Sequence, residues 1–582
     1  MTMELPADLS DLVSEVLTAV PRLLTLQDRD PDSPMRGCMH PAFWRDKSSE
    51  VADMRRQEAA LAFAWIWKHP FPGNRYQGDP EVLHASLRAM GFWTRNQHRD
   101  GTFDEWYKNE HGYATTAFSS YAMSLALLAL EDAVPENLRQ AVLFSLRRSG
   151  DWLLTHDDWF KTNHQAVGVA ALCAIGRATD EVRYIQGGRR NADRILKKVH
   201  EEGWSREISG TDLGYTFLLC EYMAMFAVLS GDTSFLPSLK KPYRFAVDFL
   251  HPNLTTGAEY GVCANPYFSR VAAVALAPHD PLAQASVRMM ERKTVAPRDT
   301  SATLKDDLRL SRYAYQPLLA ALLHTGDLPR KDAPTSAVEP ALLPFERLDH
   351  LAWYSQAKLL SVARPAYAAW VSPAYGGFVR ACFRSEYGFD HALGDRGYAI
   401  EDGKHVLRNA YYSLKRAAQF EASTLHCESP FVRAGFVMPP YWARLGLRFS
   451  TSLPGGPRAS RWLIDQWRKR KGTALNQSSA GVAKGKAPII LRRRVTFHPD
   501  RLDILDVITS TTEPLPSSRI HCVLDGPWLL PHGQRPDMDR RIPLNAILAG
   551  ETTAREFEIR KSLAHKDGRM VLLELAARPV SP

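Results

Sequence analysis

The chain has 582 residues, of which 45% are apolar, and it carries a formal net charge of +9 with an isoelectric point near 9.1. This length and apolar content exclude a disordered chain and a single ordinary core, so roughly two to four packed domains are expected. Seven scattered cysteines without a CxxC pair exclude a disulfide framework and a zinc–thiolate site. The positive charge is densest at 468–471 and 492–494, which fits either an anionic partner or a solvated basic surface.

Helical periodicity runs from about residue 51 to residue 323, in segments that are separated by short loops and end in Gly, Asp or Pro. Successive helix pairs bury their apolar faces by closing a ring or by stacking as a solenoid. Because no tetratricopeptide or HEAT consensus recurs, the sequence favours a closed or partly closed (α/α) toroid, an incomplete helical barrel, over residues 1–330. The predicted helices cover 55–67, 80–97, 114–130, 136–154, 163–177, 181–200, 215–229 and 237–250.

The composition changes after the helical region. Residues 331–348 are rich in Pro, Ala and Asp and are predicted to be a linker, and beyond them short alternating segments are typical of strands. We therefore predict an antiparallel β-sandwich over 349–582, with a helical insertion near 459–471 and a loop at 472–486. The fold class is α+β multidomain, a helical toroid followed by a β-sandwich. The predicted strands cover 377–383, 396–401, 405–415, 431–437, 489–497, 501–508, 519–524, 555–562 and 569–575.

The N-terminal residues contain no basic segment followed by an apolar stretch, so no signal peptide is predicted. No apolar run approaches eighteen residues by inspection, which predicts no membrane span. The expected location is the cytoplasm, with the periplasm left open. Since the chain has no HExxH, no P-loop and no GxGxxG after a strand, we expect no catalytic metal, no cofactor and no nucleic-acid partner, while a structural ion in the sandwich stays open.

Two polar segments stand out within the helical region, Thr-Asn-His-Gln at 162–165 and Glu-Ile-Ser-Gly-Thr-Asp-Leu-Gly-Tyr at 207–215. Two amphipathic helical stretches separate Asn163 and His164 from Tyr215, so both segments can open helices on the same rim of the toroid. An amide, an imidazole and a phenol in one cleft can bind a carboxylate and move protons, which is the chemistry an acidic sugar requires. The alternative is that these residues cap helices and fill the core.

Four passages follow one another in the first half of the chain. They are Gly-Cys-Met-His-Pro-Ala-Phe-Trp at 37–44 leading into 52–58, Asp-Gly-Thr-Phe-Asp-Glu-Trp-Tyr-Lys-Asn-Glu at 100–110, the two polar segments together with Glu-Gly-Trp at 202–204, and Gly-Ala-Glu-Tyr-Gly at 257–261. In these passages the chain resembles the heparinase II/III-like polysaccharide lyases, in particular members associated with bacterial surface-polysaccharide production. The sandwich half resembles them only in general character.

The resemblance implies β-elimination on a polysaccharide that contains uronic acid. Asn163 and His164 would lie near the uronate carboxylate and acidify the C5 proton, and Tyr215 would protonate the departing oxygen and is a candidate base as well. A sandwich histidine, either His405 or His391, would complete the site. The physical case agrees, because the C5 proton leaves only if the developing enolate charge is stabilised. Tyrosine needs a nearby cation to act as a base at neutral pH, and Arg206 is one candidate.

The same comparison implies a set of substrate-binding residues around this centre. Departures from the family pattern also occur: Val-Cys-Ala at 262–264 replaces an arginine that members carry after Glu-Tyr-Gly, and His40-Pro41 replaces an Asp-Arg pair. A missing cleft arginine predicts a different sugar or a weakened catalyst. The expected substrate-binding residues are Trp106, Glu110, Trp204, Arg206, Glu207, Asp212, Glu259 and Tyr260.

Three other functions remain open from the sequence. Glu105 with Glu110, or Glu207 with Asp212, could act as the carboxylates of an inverting glycoside hydrolase. A uronate C5-epimerase shares the proton abstraction with a lyase, and a polysaccharide-binding protein would need no turnover. The expected partner in each case is an acidic polysaccharide or oligosaccharide. Its identity, its sulfation, endo or exo action and the oligomeric state do not follow from the sequence.

Overall fold

The computed structural model describes residues 3–581 except 159–160, 209, 264, 293–305, 329–337, 386–387, 404, 435–439, 454, 457–458, 460–461, 463–483, 526–539 and 567–568. The first half is helical and the second half is built of strands. Its α-helices are α1 (Ala7–Thr25), α2 (Pro41–Trp44), α3 (Ala59–Lys68), α4 (Pro80–Arg95), α5 (Tyr113–Leu130), α6 (Glu136–Thr155), α7 (Thr162–Thr179), α8 (Val182–Leu196), α9 (Leu213–Ser230), α10 (Leu236–Val247), α11 (Arg270–Leu276), α12 (Pro281–Glu291), α13 (Asp307–Tyr313), α14 (Tyr315–Thr325), α15 (Tyr441–Ser452) and α16 (Leu544–Ile547).

An inner ring of helices forms the core of the first half. Among the described residues, α3, α5, α7, α9, α11 and α14 each pack against the next, and α14 packs against α3. These helices are apolar on nearly all sides, as expected of helices that are surrounded by protein. The amphipathic helices α1, α4, α6, α8, α10 and α12 pack outside them. The predicted toroid is therefore confirmed.

Two inner helices are long and apolar enough to cross a membrane, judged by length and composition only. They are Tyr113–Ala133, which includes α5, and Leu213–Ser230, which is α9. The expectation that no apolar run approaches eighteen residues is corrected at these two places. Their most apolar windows are 89% and 83% buried inside the fold, as is usual for core helices of a ring.

Inner and outer helices alternate along the chain, so the inner helices run in the same direction and begin on one rim. Contacts between the loops before these helices support this arrangement: the Met54 N–H donates to the Asp104 carbonyl (3.1 Å), and the Val262 N–H donates to the Thr211 carbonyl (2.8 Å). Lys161 forms a β-bridge with Glu207 between two further loops. The positive dipole ends of the inner helices therefore face one rim, where Glu207 and Asp212 accept hydrogen bonds from the first turns of α7 and α9.

The second half is an antiparallel β structure, which confirms the predicted sandwich class. Its main sheet follows the order β1-β2-β3-β4-β5-β6-β8-β9-β10-β15-β16, with β12 pairing to β5. The strands are β1 (His350–Tyr354), β2 (Leu359–Ala363), β3 (Tyr367–Ser372), β4 (Phe378–Ser385), β5 (Gly388–Asp402), β6 (His405–Arg408), β7 (Ala418–Glu421), β8 (Thr424–Ala434), β9 (Lys484–Phe497), β10 (Arg501–Ser510), β11 (Leu515–Pro516), β12 (Ile520–Asp525), β13 (Arg540–Pro543), β14 (Thr553–Ala554), β15 (Glu556–Lys566) and β16 (Arg569–Ser581).

Some boundaries of the sandwich differ from the sequence-based expectation. A strand was expected over 405–415, but β6 ends at Arg408. The longer described helix of this half, α15, lies before the expected insertion at 459–471, most of which is outside the described residues. Of the expected loop at 472–486, residues 484–486 begin β9 and the rest is outside the described residues. Periodicity alone could not place these ends, because both regions are rich in basic and small residues.

Four buried charges join four strands inside the sandwich. Arg493 on β9 contacts Asp506 on β10 (Nε–Oδ1 2.7 Å) and Asp395 on β5 (Nη2–Oδ1 3.1 Å). Lys561 on β15 contacts the same two carboxylates at 2.6 Å (Asp395 Oδ2) and 3.0 Å (Asp506 Oδ2). Two positive and two negative groups balance, and each is almost fully buried. We call these four residues the ion quartet.

The ion quartet lies beside a β-bulge in β5. Leu524 of β12 pairs with Asp395 and Val523 pairs with Gly397, so Arg396 is an extra residue between them. Gly397 has a φ of +84°, and its N–H donates to the Asp395 carboxylate (2.7 Å). The bulge turns Arg396 out of the normal alternation, towards the helical domain.

The sandwich packs on the rim where the inner helices begin. Trp370 Nε1 donates to the Asp248 carbonyl after α10 (3.0 Å), and the Thr211 N–H donates to the Tyr412 hydroxyl (2.9 Å). The sandwich therefore forms one wall beside the N-terminal ends of the inner helices.

Candidate active site

The first turn of α7 is tied to the loop before α9 by one buried carboxylate. Glu207 accepts hydrogen bonds from the Asn163 backbone N–H (Oε1, 2.8 Å) and from Asn163 Nδ2 (Oε2, 2.7 Å). Burial raises the pKa of Glu207 well above its usual value, while the two hydrogen bonds from Asn163 act in the opposite direction. Both side chains are buried. Glu207 thus holds the start of α7 in place, and Asn163 keeps one Nδ2–H to donate.

His164 is the next residue on α7 and has a carboxylate partner that orients its ring. Its Nδ1 lies 2.8 Å from Asp158 Oδ2. An Nδ1–H that donates to this carboxylate leaves Nε2 with a lone pair, since neutral imidazole has one donor and one acceptor. Burial lowers the pKa of His164 below its usual 6.5, although the Asp158 hydrogen bond raises it in part. The imidazole is therefore neutral at pH 7 and suited to accept a proton at Nε2.

Tyr215 lies in the first turn of α9, whose N-terminus is capped by Asp212. The Asp212 carboxylate accepts from the Tyr215 N–H (3.1 Å) and from the Cys263 N–H (3.0 Å). Asp212 is fully buried, and burial raises its pKa to about 7. Burial and then Asp212 raise the pKa of the Tyr215 hydroxyl well above 10, so the phenol is protonated at neutral pH. The expectation of a cation that lowers this pKa is not met.

Arg312 on α13 brings a positive charge to the same rim. Its Nη2 lies 2.5 Å from Asp53 Oδ2 and 2.8 Å from Glu105 Oε1, and its guanidinium carbon is 5.8 Å from the centre of the Trp106 ring. The Trp106 side chain is 70% exposed. An exposed indole over a guanidinium presents a flat surface next to a cation, an arrangement suited to stacking an acidic sugar.

Glu110 stabilises the loop that carries Trp106. Its Oε2 accepts from the N–H groups of Glu105 and Trp106, both at 2.8 Å. Burial raises the pKa of Glu110 to about 7. Glu105 in turn binds Arg312 and accepts from Thr115 Oγ1 (3.2 Å). Both carboxylates are occupied by the protein itself.

Glu259 and Tyr260 lie where the helical rim meets the sandwich. Arg396 donates from Nη2 to Glu259 Oε1 (2.9 Å), and Arg380 Nη2 is 3.9 Å from Glu259 Oε2. Tyr260 is completely buried and lies 3.3 Å from His251 Nε2 through its hydroxyl. Tyr260 is therefore part of the domain interface, while Glu259 anchors an arginine from the sandwich.

Comparison with known proteins relates this chain to polysaccharide lyases. Residues 74–265 match the family model described as the ulvan lyase N-terminal domain. The chondroitin AC lyase of Streptomyces coelicolor A3, solved in complex with chondroitin sulphate, superposes with a TM-score of 0.52 at 11% identity, covering 90% of this chain and 69% of that chain. Part of the helical domain is thus similar to the N-terminal domain of ulvan lyases, and the chain shares the fold of a chondroitin AC lyase. The predicted family resemblance and lyase class are confirmed.

Two further structures are similar to this lyase-type fold. A Paenibacillus xanthan lyase has a TM-score of 0.50 at 10% identity, and the match covers 89% of this chain but 46% of that chain. Heparinase III matches over 100% of this chain and 92% of that chain at 10% identity. The TM-score of that match is 0.44. No curated protein has a significantly similar sequence. Identities this low relate these structures by fold alone.

The remaining predicted residues are Trp204, Arg206, His405 and His391. Trp204 is half-buried, stacks on His200 with ring centres 4.3 Å apart and donates from Nε1 to Glu202 (3.0 Å). Arg206 is exposed, and its Nε lies 3.3 Å from the Ile208 carbonyl. His405 is exposed at the first residue of β6, and the side chain of His391 on β5 is outside the described residues.

The residues that sequence reasoning missed are Asp158, Arg312 and Arg396. Asp158 is close to His164 in sequence, but nothing in the pattern assigns it a role. Arg312 lies beyond all four passages, and its position depends on the closure of the ring by α14. For Arg396 a signal existed, since a glycine inside a strand often marks a bulge. Among the described residues, no group of three or more His, Cys, Asp or Glu side chains could hold a metal ion.

Proposed function

We propose that this protein cleaves a uronic-acid-containing polysaccharide by β-elimination, with His164 as the base and Tyr215 as the acid. One observation carries the proposal: two adjacent inner helices begin on the same rim with a neutral imidazole and a protonated phenol. Their surroundings move the two pKa values in opposite directions, the pKa of His164 down and the pKa of Tyr215 up. Such divergence is typical of an acid and base pair.

The elimination follows from these protonation states. Nε2 of His164 removes the proton at C5 of the uronate, and the released electron pair forms the C4–C5 double bond. The bond from C4 to the glycosidic oxygen breaks, and the Tyr215 hydroxyl gives its proton to that oxygen. The tyrosinate left behind has a high pKa, so it regains a proton readily from water or from the histidine.

The rim stabilises the negative charge that develops on the uronate carboxylate. The N-terminal ends of α7 and α9 carry partial positive charge, and Asn163 has an Nδ2–H to donate. Trp106 over Arg312 offers a platform for a neighbouring sugar. Donors that are positioned before the reaction can contribute roughly 3–4 kcal/mol each to such a transition state.

The carboxylates that a glycoside hydrolase would need are used elsewhere. Glu207 and Asp212 are fully buried and bind backbone N–H groups, and Glu110 binds the loop of Trp106. Neither pair leaves a free acid and a free base on opposite sides of a cleft. This supports proton abstraction over hydrolysis.

The test is a panel of uronate polymers, including chondroitin sulfate, ulvan and alginate, incubated with the protein. We expect the ultraviolet absorbance of the unsaturated uronate product to grow with at least one polymer. New reducing ends without that absorbance would indicate a hydrolase, and solvent deuterium entering C5 without cleavage would indicate an epimerase. Binding without any of these signals would make the protein a polysaccharide binder. Each of these three outcomes contradicts the proposal.

The pH dependence of the reaction should report the lowered pKa of His164. The base is active when unprotonated, so kcat/KM falls as the pH drops through this pKa, and the acid limb lies below pH 6.5. Asp158 raises the pKa of His164, so Asp158→Asn moves the acid limb to lower pH. It also cuts kcat about 10²–10⁴-fold, because the ring loses the partner that fixes its tautomer.

Asp157→Asn is the matched control for this substitution. Asp157 precedes Asp158 and is 3.6 Å from Arg194 at the surface, away from the imidazole contact. We expect it to leave both the rate and the acid limb unchanged. An acid limb that stays in place in Asp158→Asn would remove His164 from the role of base.

A further inference from the structure

A basic pocket lies in the sandwich next to the domain interface. Including the solvent at its mouth it has a volume of about 430 Å³. It opens on one face of neighbouring strands and contains no Asp or Glu in its lining. The lining residues are Tyr375, Arg396, Tyr398, Ala399, Val406, Arg408, Ala410, Val523 and Arg541.

Strand register explains why two of the arginines meet there. Arg408 of β6 lies opposite Ala399 of β5, and Arg541 of β13 lies opposite Val523 of β12. Val523 lies opposite Gly397, which is two residues before Ala399 on β5 and so shares its face. Directly opposed residues of antiparallel strands point to the same face. Arg408 and Arg541 are therefore carried by separate strands to one face of the sheet.

Arg396 connects this pocket to the candidate active site. The bulge in β5 turns its side chain to the same pocket, and its Nη2 binds Glu259 (2.9 Å) in the loop before α11. Four residues later in that loop, the Cys263 N–H binds Asp212, the cap of the helix that carries Tyr215. The pocket is thus part of the sandwich wall beside the proposed catalytic pair.

The described residues bring little negative charge to Arg408 and Arg541. Within the described part of the chain, neither Arg408 nor Arg541 has a carboxylate at ion-pair distance, and Arg396 shares Glu259 with Arg380. Glu401 is on the same face, but it contacts His521 (Nε2–Oε1 3.2 Å). The positive charges of Arg408 and Arg541 therefore face a concave site.

We propose that the pocket formed around Arg396, Arg408 and Arg541 binds an oxyanion substituent of the polysaccharide, a sulfate ester or a second carboxylate. The proposal rests on the proposed function and names a feature of its substrate. Arginine recognises such groups through paired N–H donors, and converging guanidinium groups hold one oxyanion more tightly than one alone. The sandwich then supplies the anion recognition that the helical Val-Cys-Ala segment lacks.

The size of the pocket agrees with a small anion. The space within it is enough for a few water-sized groups, about the oxygens of one sulfate group. The polymer would lie along the rim and place one substituent into the pocket.

Inorganic sulfate tests the site without any turnover. The melting temperature of the full chain is measured against sodium sulfate, with sodium chloride added to keep the ionic strength constant. We expect a saturable rise for the wild type and an at least tenfold weaker apparent affinity for the double variant R408Q/R541Q, since each lost charge-assisted hydrogen bond costs about a factor of ten.

The control is R560Q/R578Q, which removes the same charge from another part of the sandwich. Arg560 and Arg578 are exposed and both pair with Glu558. Sulfate also stabilises proteins without binding, but that effect does not saturate and is the same for all variants. An equal response in the wild type and in both double variants would overturn the proposal.

Chondroitin sulfate and its desulfated form then distinguish the two sources of the oxyanion. If a sulfate ester occupies the pocket, desulfation weakens binding to the wild type and abolishes the difference from R408Q/R541Q. If a carboxylate does, the difference persists with the desulfated polymer. The sulfate titration can succeed while the elimination assay fails, so the two proposals stand or fall separately.

Discussion

Tyr215→Phe abolishes polymer cleavage and leaves polymer binding intact. In the proposed elimination the phenol is the proton donor to the leaving oxygen, and general acid catalysis contributes about 10²–10⁴-fold, so kcat should fall by about that factor. Phenylalanine retains the partly buried ring. Stability changes little, because the Tyr215 hydroxyl makes no hydrogen bond within the described residues. The measurements are initial rates of unsaturated product formation, polymer affinity and the melting temperature.

Tyr222→Phe is the matched control for this loss. Tyr222 is two turns further along α9, where its hydroxyl lies 3.2 Å from the Tyr315 hydroxyl in the core of the ring. Removing that hydroxyl alters stability by about 1 kcal/mol and leaves kcat unchanged. Activity above a tenth of the wild-type rate in Tyr215→Phe would exclude Tyr215 as the acid. An equal loss in both variants would attribute the effect to α9 itself.

The sequence predicts the toroid well because its two signals are local. An apolar face that repeats every three to four residues identifies the helices, and motifs at their starts follow from the alternation of inner and outer helices. This is why Asn163, His164 and Tyr215, fifty residues apart in sequence, were correctly expected at the starts of two helices. The choice between capping and catalysis could not be made in this way. Glu207 and Asp212 are capping residues, and a carboxylate has the same sequence signature in either role.

Long-range contacts account for what the sequence does not predict. Arg312 reaches Glu105 only because α14 packs against α3, and Arg396 reaches Glu259 only because β5 contains a bulge. The direction of the Tyr215 pKa depends on burial and on Asp212 rather than on Arg206, which is close in sequence but exposed. None of these pairings leaves a local pattern in the sequence.

Arg493→Gln destabilises the protein far more than the same change at the preceding residue. Arg492 and Arg493 are neighbours on β9 and point to opposite faces of the strand. Arg493 is fully buried in the ion quartet, whereas Arg492 is 58% exposed and 3.4 Å from Glu428. Removing Arg493 leaves Asp395 and Asp506 with Lys561 as their one buried cation. An uncompensated buried charge costs about 3–5 kcal/mol, while an exposed ion pair contributes about 0–1 kcal/mol.

The measurement is unfolding of the full chain in urea, with Arg492→Gln as the control. We expect the urea midpoint of Arg493→Gln to fall clearly. The free energy of unfolding of Arg492→Gln should stay within about 1 kcal/mol of the wild-type value. The Arg493→Gln variant also tests whether the ion quartet supports the basic pocket around Arg396. Asp395 holds the Gly397 N–H of the bulge that aims Arg396 at Glu259, so a loosened ion quartet should also weaken sulfate binding. Equal midpoints for the two variants would show that the ion quartet does not hold the sandwich together.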